Sequence, residues 1–270
     1  MRERVVVKWG GGLITKKHEM KTVRTDVLDD LARQLEACLD AGVDVVLVHG
    51  AGSFGHLKAK AYRLAEGKVN DGNLPSEMTQ EEAVADVRSD MLELNQHVMD
   101  ALTKHDISAV SLSPHRWAKN TGKEFLGDLG VFDGAPTGIV VVTHGDVVEC
   151  DPPMGFGILS GDDLVYRLAT EVSGVKRLVF AMGGVEGVLS EPPTNENDEA
   201  KLITVLTRDH PFEGEHMTDM DVTGGIGLKV TRGFQVAEHG VSVHMVSGEL
   251  DQRVKDACLG STFRGTTLQP

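Results

Sequence analysis

Short apolar runs rich in valine recur along the chain, and between them lie longer segments in which apolar residues return every three or four positions. The runs at 4–8, 43–48, 107–111, 139–143, 177–181 and 241–246 predict strands, because a continuous β-branched stretch suits a strand covered on both faces. The segments 25–41, 81–104, 162–172 and 226–239 predict helices; within 81–104, Val84, Val87, Met91, Leu94 and Val98 share one face. Strand and helix alternate, which predicts an α/β fold, a three-layer αβα sandwich around a mainly parallel open sheet with right-handed connections. Residues 121–133 predict a hairpin, and Glu191 to Glu199, rich in Pro, Asn and acid, predicts a mobile surface loop. No internal repeat and no linker-like change of composition interrupts the chain.

Glycine-rich turns follow two of the predicted strands and open two of the helices. After Val5-Val6-Val7 come Lys8, Trp9 and the triplet Gly10-Gly11-Gly12, with Lys17 beyond. Consecutive glycines let backbone N–H groups come close to an anion; a tight turn with two solvated lysines is the alternative. After Val45-Val46-Leu47-Val48 the design repeats as His49-Gly50-Ala51-Gly52-Ser53-Phe54-Gly55-His56, leading into a stretch that can be helical and whose N-terminus would attract an anion. Gly50, Gly52 and Gly55 also fit the G-x-G-x-x-G spacing of dinucleotide sites, but that reading needs a strand ending in Asp or Glu about twenty residues on. Here Leu57 to Tyr62 is followed by the polar stretch Gly67 to Pro75, so a Rossmann dehydrogenase is not expected.

The remaining two turns bring opposite charges. Ser160-Gly161-Asp162-Asp163 opens the helix at 162–172, and either Ser160 or Asp162 would cap it. Two adjacent carboxylates exceed the needs of a cap, and one of them can face the lysines. Asp221-Val222-Thr223-Gly224-Gly225-Ile226-Gly227-Leu228-Lys229 opens the helix at 226–239, with Lys229 about one turn inside and within reach of an anion at the helix end. A flexible acidic loop closed by glycines is the competing account.

Composition narrows the partners. The net charge is -14, from 41 Asp+Glu against 27 Lys+Arg, which argues against nucleic acid; cations kept in glycine turns of so acidic a chain point to phosphate. With 270 residues and 40% apolar content the chain can bury a large core, as one domain or two closely joined lobes. It has no apolar run of about eighteen residues, and Met1-Arg2-Glu3-Arg4 leads straight into a strand, so neither a membrane span nor a cleaved signal is expected. Cys38, Cys150 and Cys258 are widely spaced and show no metal-ligand pairing, which fits reduced thiols in a cytoplasm and no protein-held metal.

These pieces together resemble the amino acid kinase family. The resemblance is carried by Lys8-Trp9-Gly10-Gly11 with Ile14-Thr15 and Lys17, Val48 through His56, Gly145-Asp146-Val147, Gly157-Ile158, Ser160 through Asp163, Asp221 through Gly227 with Lys229, and a closing Gly265-Thr266. They come in the family's order and span nearly the whole chain. Ser53-Phe54-Gly55-His56 is similar to the branch whose acceptor is isopentenyl phosphate, rather than to relatives that phosphorylate carboxylates.

The resemblance implies phosphoryl transfer from ATP with Mg2+. Lys8 and Lys229 would hold the nucleotide phosphates, Lys17 would stabilise the transferring group, and Asp162 would orient the lysines. Gly10, Gly11, Gly52 and Gly225 would supply backbone donors, with Gly184 beside the nucleotide. Ala51, Gly52, His56 and Gly157 would select a monophosphate acceptor, and Val84, Val87 and Met91 are candidates for lining its apolar tail, although their stripe also reads as plain core. An acceptor lobe would cover residues 1–173 and a nucleotide lobe 174–270 on one continuous sheet, in a cytoplasmic homodimer. His56 suits such an acceptor because a phosphate monoester with a second pKa near 6 is already nucleophilic at neutral pH and needs a positive anchor more than a base. A helix-capping histidine without a ligand is the other reading.

The chain departs from the family pattern at three places. Gly183-Gly184-Val185-Glu186-Gly187 stands where relatives carry Thr-Asp-Val-Asp-Gly, Trp9 takes a usually aliphatic place, and Gly12 one that is usually serine. The nearest rival within the fold is a kinase for another small phosphate or phosphonate of the fosfomycin type, and the Gly183-Gly184 change suggests a second rival, a nucleotide-binding sensor or storage protein that has lost catalysis.

Overall fold

The valine-rich runs form strands. The computed structural model describes residues 2–16, 19–69, 74–190, 202–209 and 225–270. Its strands are β1 (Arg4–Trp9), β2 (Asp44–His49), β3 (Ala109–Ser111), β4 (Ala118–Lys119), β5 (Leu126–Gly127), β6 (Val140–His144), β7 (Asp146–Glu149), β8 (Phe156–Leu159), β9 (Val175–Met182), β10 (Val205–Thr207), β11 (Ser242–Ser247) and β12 (Thr266–Gln269). Its helices are α1 (Gly11–Ile14), α2 (Thr25–Asp40), α3 (His56–Ala61), α4 (Gln80–Lys104), α5 (Gly130–Asp133), α6 (Gly161–Glu171), α7 (Gly225–Ala237) and α8 (Arg253–Leu259).

Eight of the described strands make one sheet in the order β10-β12-β11-β9-β1-β2-β6-β3. Every neighbouring pair is parallel except β11 with β12. Side chains leave a strand on alternate faces, and the core divides accordingly. Val5, Val7 and Trp9 of β1, with Val45 and Leu47 of β2, join a cluster completed by α2, α4 and α8. Val6, Val46 and Val48 join the opposite cluster, completed by α6 and α7. That makes the three layers the alternation predicts, and it sends Lys8, next in register after Val6, toward α6.

Two helix starts follow local rules. Thr79 caps α4 in a capping box with Glu82, each side chain bonding the other residue's backbone N–H. Ser160 caps α6 by accepting from the Asp163 amide.

The hairpin expected at 121–133 lies earlier in the chain. Ala118 and Lys119 pair with Gly127 and Leu126, while Asp128 accepts from the Gly130 amide at 2.8 Å and turns the chain into α5, which buries Phe132. The loop expected at Glu191 to Glu199 lies outside the described residues. Short elements such as α8, β10 and β12, and the antiparallel pair β7–β8, carry too little periodicity to read from sequence. The strands β5-β4-β7-β8 form a second, smaller sheet.

Candidate active site

Parallel pairing places Trp9 opposite His49, so the turns after β1 and β2 leave the sheet side by side. They interlock at the backbone. A methyl group built on Gly11 would lie 2.2 Å from the Gly52 nitrogen, and one on Gly50 would lie 2.6 Å from the Gly11 nitrogen. Gly52 has φ +51, a conformation that favours glycine, and a methyl there would meet Thr15 Oγ1 at 2.0 Å. Gly11 and Gly52 are expected from sequence to face a ligand; in the structure they, with Gly50, let two turns touch. Thr15, given no role from sequence, fastens the contact by donating to Gly11 O at 2.8 Å and accepting from the Ser53 amide at 2.9 Å. Gly10 donates its N–H to Ala181 O at 3.0 Å, which commits that donor to the sheet.

The charged centre lies on the α6 side of β1. Lys8, 5% exposed, forms an ion pair with one oxygen of Asp162, and Lys229 reaches the other oxygen at 3.4 Å. Asp162 is 2% exposed and sits in the first turn of α6, where the helix dipole also favours a carboxylate. Lys229 further donates to Gly225 O at 3.0 Å, closing the first turn of α7 on itself. Gly161 leaves room for this arrangement, since a methyl there would stand 3.1 Å from Lys8 Cε. Residues 8, 162 and 229 therefore meet at one point, with two ammonium groups on one carboxylate. The second acid, Asp163, faces away, toward Arg232 at 2.7 Å. Lys17 and Asp221 to Gly224 lie outside the described residues.

His56 begins α3 at the far end of the β2 turn, half-buried, with Ala51 at the start of the same turn. Beneath it lies α4. A methyl on Gly55 would sit 3.5 Å from Met91 Sδ and 3.8 Å from Val87 Cγ1, so these residues form the floor under the His56 turn while belonging to the core with Val84. Gly157 lies in β8, faced by Thr121, Cys150 and Met154 rather than by the glycine turns. Gly184, at φ +75, donates its amide to Glu249 Oε2 at 2.8 Å on the wall of a cavity of about 460 Å³. Leu202, Ser247 and Leu250 also line this cavity, which opens where β9 and β11 end. Among the described residues no group of three or more His, Cys, Asp or Glu could hold a metal ion.

Sequence reasoning missed a buried pair of histidines beside this centre. His49 and His144 are register partners on β2 and β6, with ring centroids 5.1 Å apart. His49 bonds Gly50 O at 3.1 Å and Asn95 Oδ1 at 3.3 Å; His144 bonds Gly145 O at 3.0 Å and Ser113 Oγ at 3.3 Å. Burial, with repulsion from His144 second, pushes His49 down to about 3, and burial lowers His144 as well. Two imidazoles in valine-rich strands gave no spacing signal, because their partners come from α4 and the loop after β3.

Residues 3–247 match the sequence profile of the amino acid kinase family. The chain is 28% identical over 98% of its length to the isopentenyl phosphate kinase of Methanothermobacter thermautotrophicus, covering 98% of that protein. It is 32% identical over 97% of its length to the isopentenyl phosphate kinase of Haloferax volcanii, again covering 98% of it. Among solved structures it superposes on an isopentenyl phosphate kinase with a TM-score of 0.82 at 26% identity, over 98% of this chain and 100% of the other. A product complex of the Thermoplasma acidophilum isopentenyl phosphate kinase gives 0.75 at 26% identity, over 98% and 99%.

The histidine pair predicts an acid-sensitive fold. The unfolded chain takes up protons below about 6.5 while the folded His49 stays neutral to about 3, so stability holds above about 6.5 and falls as pH descends from there. Urea unfolding at a series of pH values should show that fall. His49→Gln should reduce its slope by up to one proton, about 1.4 kcal/mol per pH unit.

Proposed function

The chain belongs to the amino acid kinase family, and from that membership we propose that it transfers the γ-phosphoryl group of ATP to isopentenyl phosphate, giving isopentenyl diphosphate and ADP. The observation that carries the reading is the shared carboxylate: Asp162 holds Lys8 and Lys229 together at the edge where the two glycine turns interlock. Relatives across nearly the whole chain act on that acceptor, as their names state.

Phosphoryl transfer passes through a loose, charge-rich transition state, so a protein assists by alignment and by fixed positive charge. Lys8 and Lys229 hold the nucleotide phosphates, spaced by Asp162, and the free ends of the interlocked turns add amide donors from Gly11 and Gly52, with Gly225 at the start of α7. Magnesium bound with the nucleotide would add positive charge at the phosphates that Lys8 and Lys229 hold. The base and ribose fill the cavity beside Gly184. His56 anchors the acceptor phosphate, whose own oxygen attacks the γ-phosphorus in line, and Lys17 neutralises the group in flight. The acceptor tail lies toward Val84, Val87 and Met91.

The acceptor side belongs to residues 1–173 and the nucleotide side to 174–270. Support for a single working body comes from β9 pairing directly with β1 across that boundary. We further propose a homodimer working in the cytoplasm; among the described residues no helix is long and apolar enough to cross a membrane.

A coupled assay of ADP release decides the reading. Turnover should require isopentenyl phosphate, and turnover only with a fosfomycin-type phosphonate would replace the acceptor. Binding of both substrates without diphosphate would make the protein a sensor or store. His56→Ala should raise the acceptor KM and lower turnover while sparing the KM for ATP; unchanged kinetics would remove its role. Lys17→Ala should lower kcat by ~10²-fold or more, as expected for a preorganised charge acting on the transition state. A change confined to KM would reassign Lys17 to ground-state binding.

A further inference from the structure

Helix α4 carries a buried carboxylate that the reaction does not use. Asp90 is 5% exposed, and its two oxygens go to different parts of the chain. Oδ1 pairs with Lys21 at 2.9 Å and Oδ2 with Lys58 at 2.7 Å. Lys21 belongs to the segment 19–24 that follows Lys17, and Lys58 belongs to α3, which begins at His56.

We propose that Asp90 is a positioning residue for phosphoryl transfer, fastening the segment after Lys17 and the helix after His56 to one point on α4. This rests on the function proposed above.

Several contacts point the same way. The Thr22 amide donates to Ser53 Oγ and the Lys21 amide to Ser53 O, both at 3.4 Å, and Lys21 Nζ lies 5.9 Å from the Phe54 ring centre. Segment 19–24 is thereby laid on the turn that leads to His56. Two outer carboxylates complete the set: Asp86 pairs with Lys58 and Glu93 with Lys21. Their side chains are 44% and 48% exposed, and ion pairs so well solvated hold little. Asp90, with a side chain 7% exposed, is the one whose charge needs both lysines, because a buried carboxylate stripped of its counterions is costly. Burial opposes charge on Lys58, yet the hydrogen bonds it donates to Asp86 and Asp90 win and raise its pKa. Glu93 and Asp90 raise that of Lys21, so both lysines stay charged at any pH where the enzyme works.

The clamp makes a distinctive pattern under hydrogen exchange. Asp90→Asn in the full chain should speed exchange in 19–24 and in 56–61 together, leaving the central strands β1 and β2 as in the parent. Lys21→Met should loosen the first segment alone and Lys58→Met the second alone. In the coupled assay Asp90→Asn should raise the acceptor KM and lower kcat, between about tenfold and a hundredfold in kcat/KM, with the ATP KM unchanged. Asp90→Glu should recover part of that loss. Exchange that stays at parent rates in both segments of Asp90→Asn, or equal changes in acceptor and ATP KM, would overturn the proposal. If Asp90→Asn does not fold, the two lysine variants decide, since loosening of both segments by either one would overturn it. A parent protein inert toward isopentenyl phosphate would sink the functional reading, while the exchange pattern would still decide for or against the clamp.

Discussion

The site depends on one carboxylate standing between two ammonium groups. Asp162 neutralises part of the repulsion between Lys8 and Lys229 and fixes their separation, while leaving one positive charge in surplus. In a buried setting the arrangement is demanding: the desolvation of three ions has to be offset by near contact and by the dipole of α6. That surplus is a local positive charge in a chain whose overall charge is -14.

The sheet supplies the means of bringing these groups together. Parallel pairing aligns the ends of β1, β2 and β9, so the turns that follow these three strands emerge at one edge. Alternation along β1 then decides direction: Val5, Val7 and Trp9 face α2 and α8, while Val6 and Lys8 face α6. A residue only two places beyond a core valine thus becomes a buried cation, and the helix opposite answers it with an acid.

Much of this was legible before any coordinates. The long strands and helices follow from uninterrupted β-branched runs and from a strong apolar face; Lys8 and Lys229 are legible as cations kept beside glycine-rich turns in an acidic chain, and Asp162 as one of two adjacent carboxylates at a helix start. Other features were hidden for identifiable reasons. Arg232, the partner of Asp163, lies on a helix face with nothing to distinguish it from a solvated arginine. Asp90 sits next to Met91 and reads as the edge of a polar face, and only the fold brings Lys21 and Lys58 to it. Short pieces such as α5 depend on the Gly130 amide donating to the Asp128 carboxylate, which no periodicity announces.

The glycines of the first two turns have an effect that reaches beyond catalysis. Because Gly11, Gly50 and Gly52 occupy the same few ångströms, neither turn has a shape of its own. Grafting one of them into another scaffold, or randomising it in a directed-evolution library, would carry along an unfilled steric demand on its neighbour. The workable unit of variation here is therefore the pair of turns taken jointly with Thr15, and drift in one has to be answered by drift in the other.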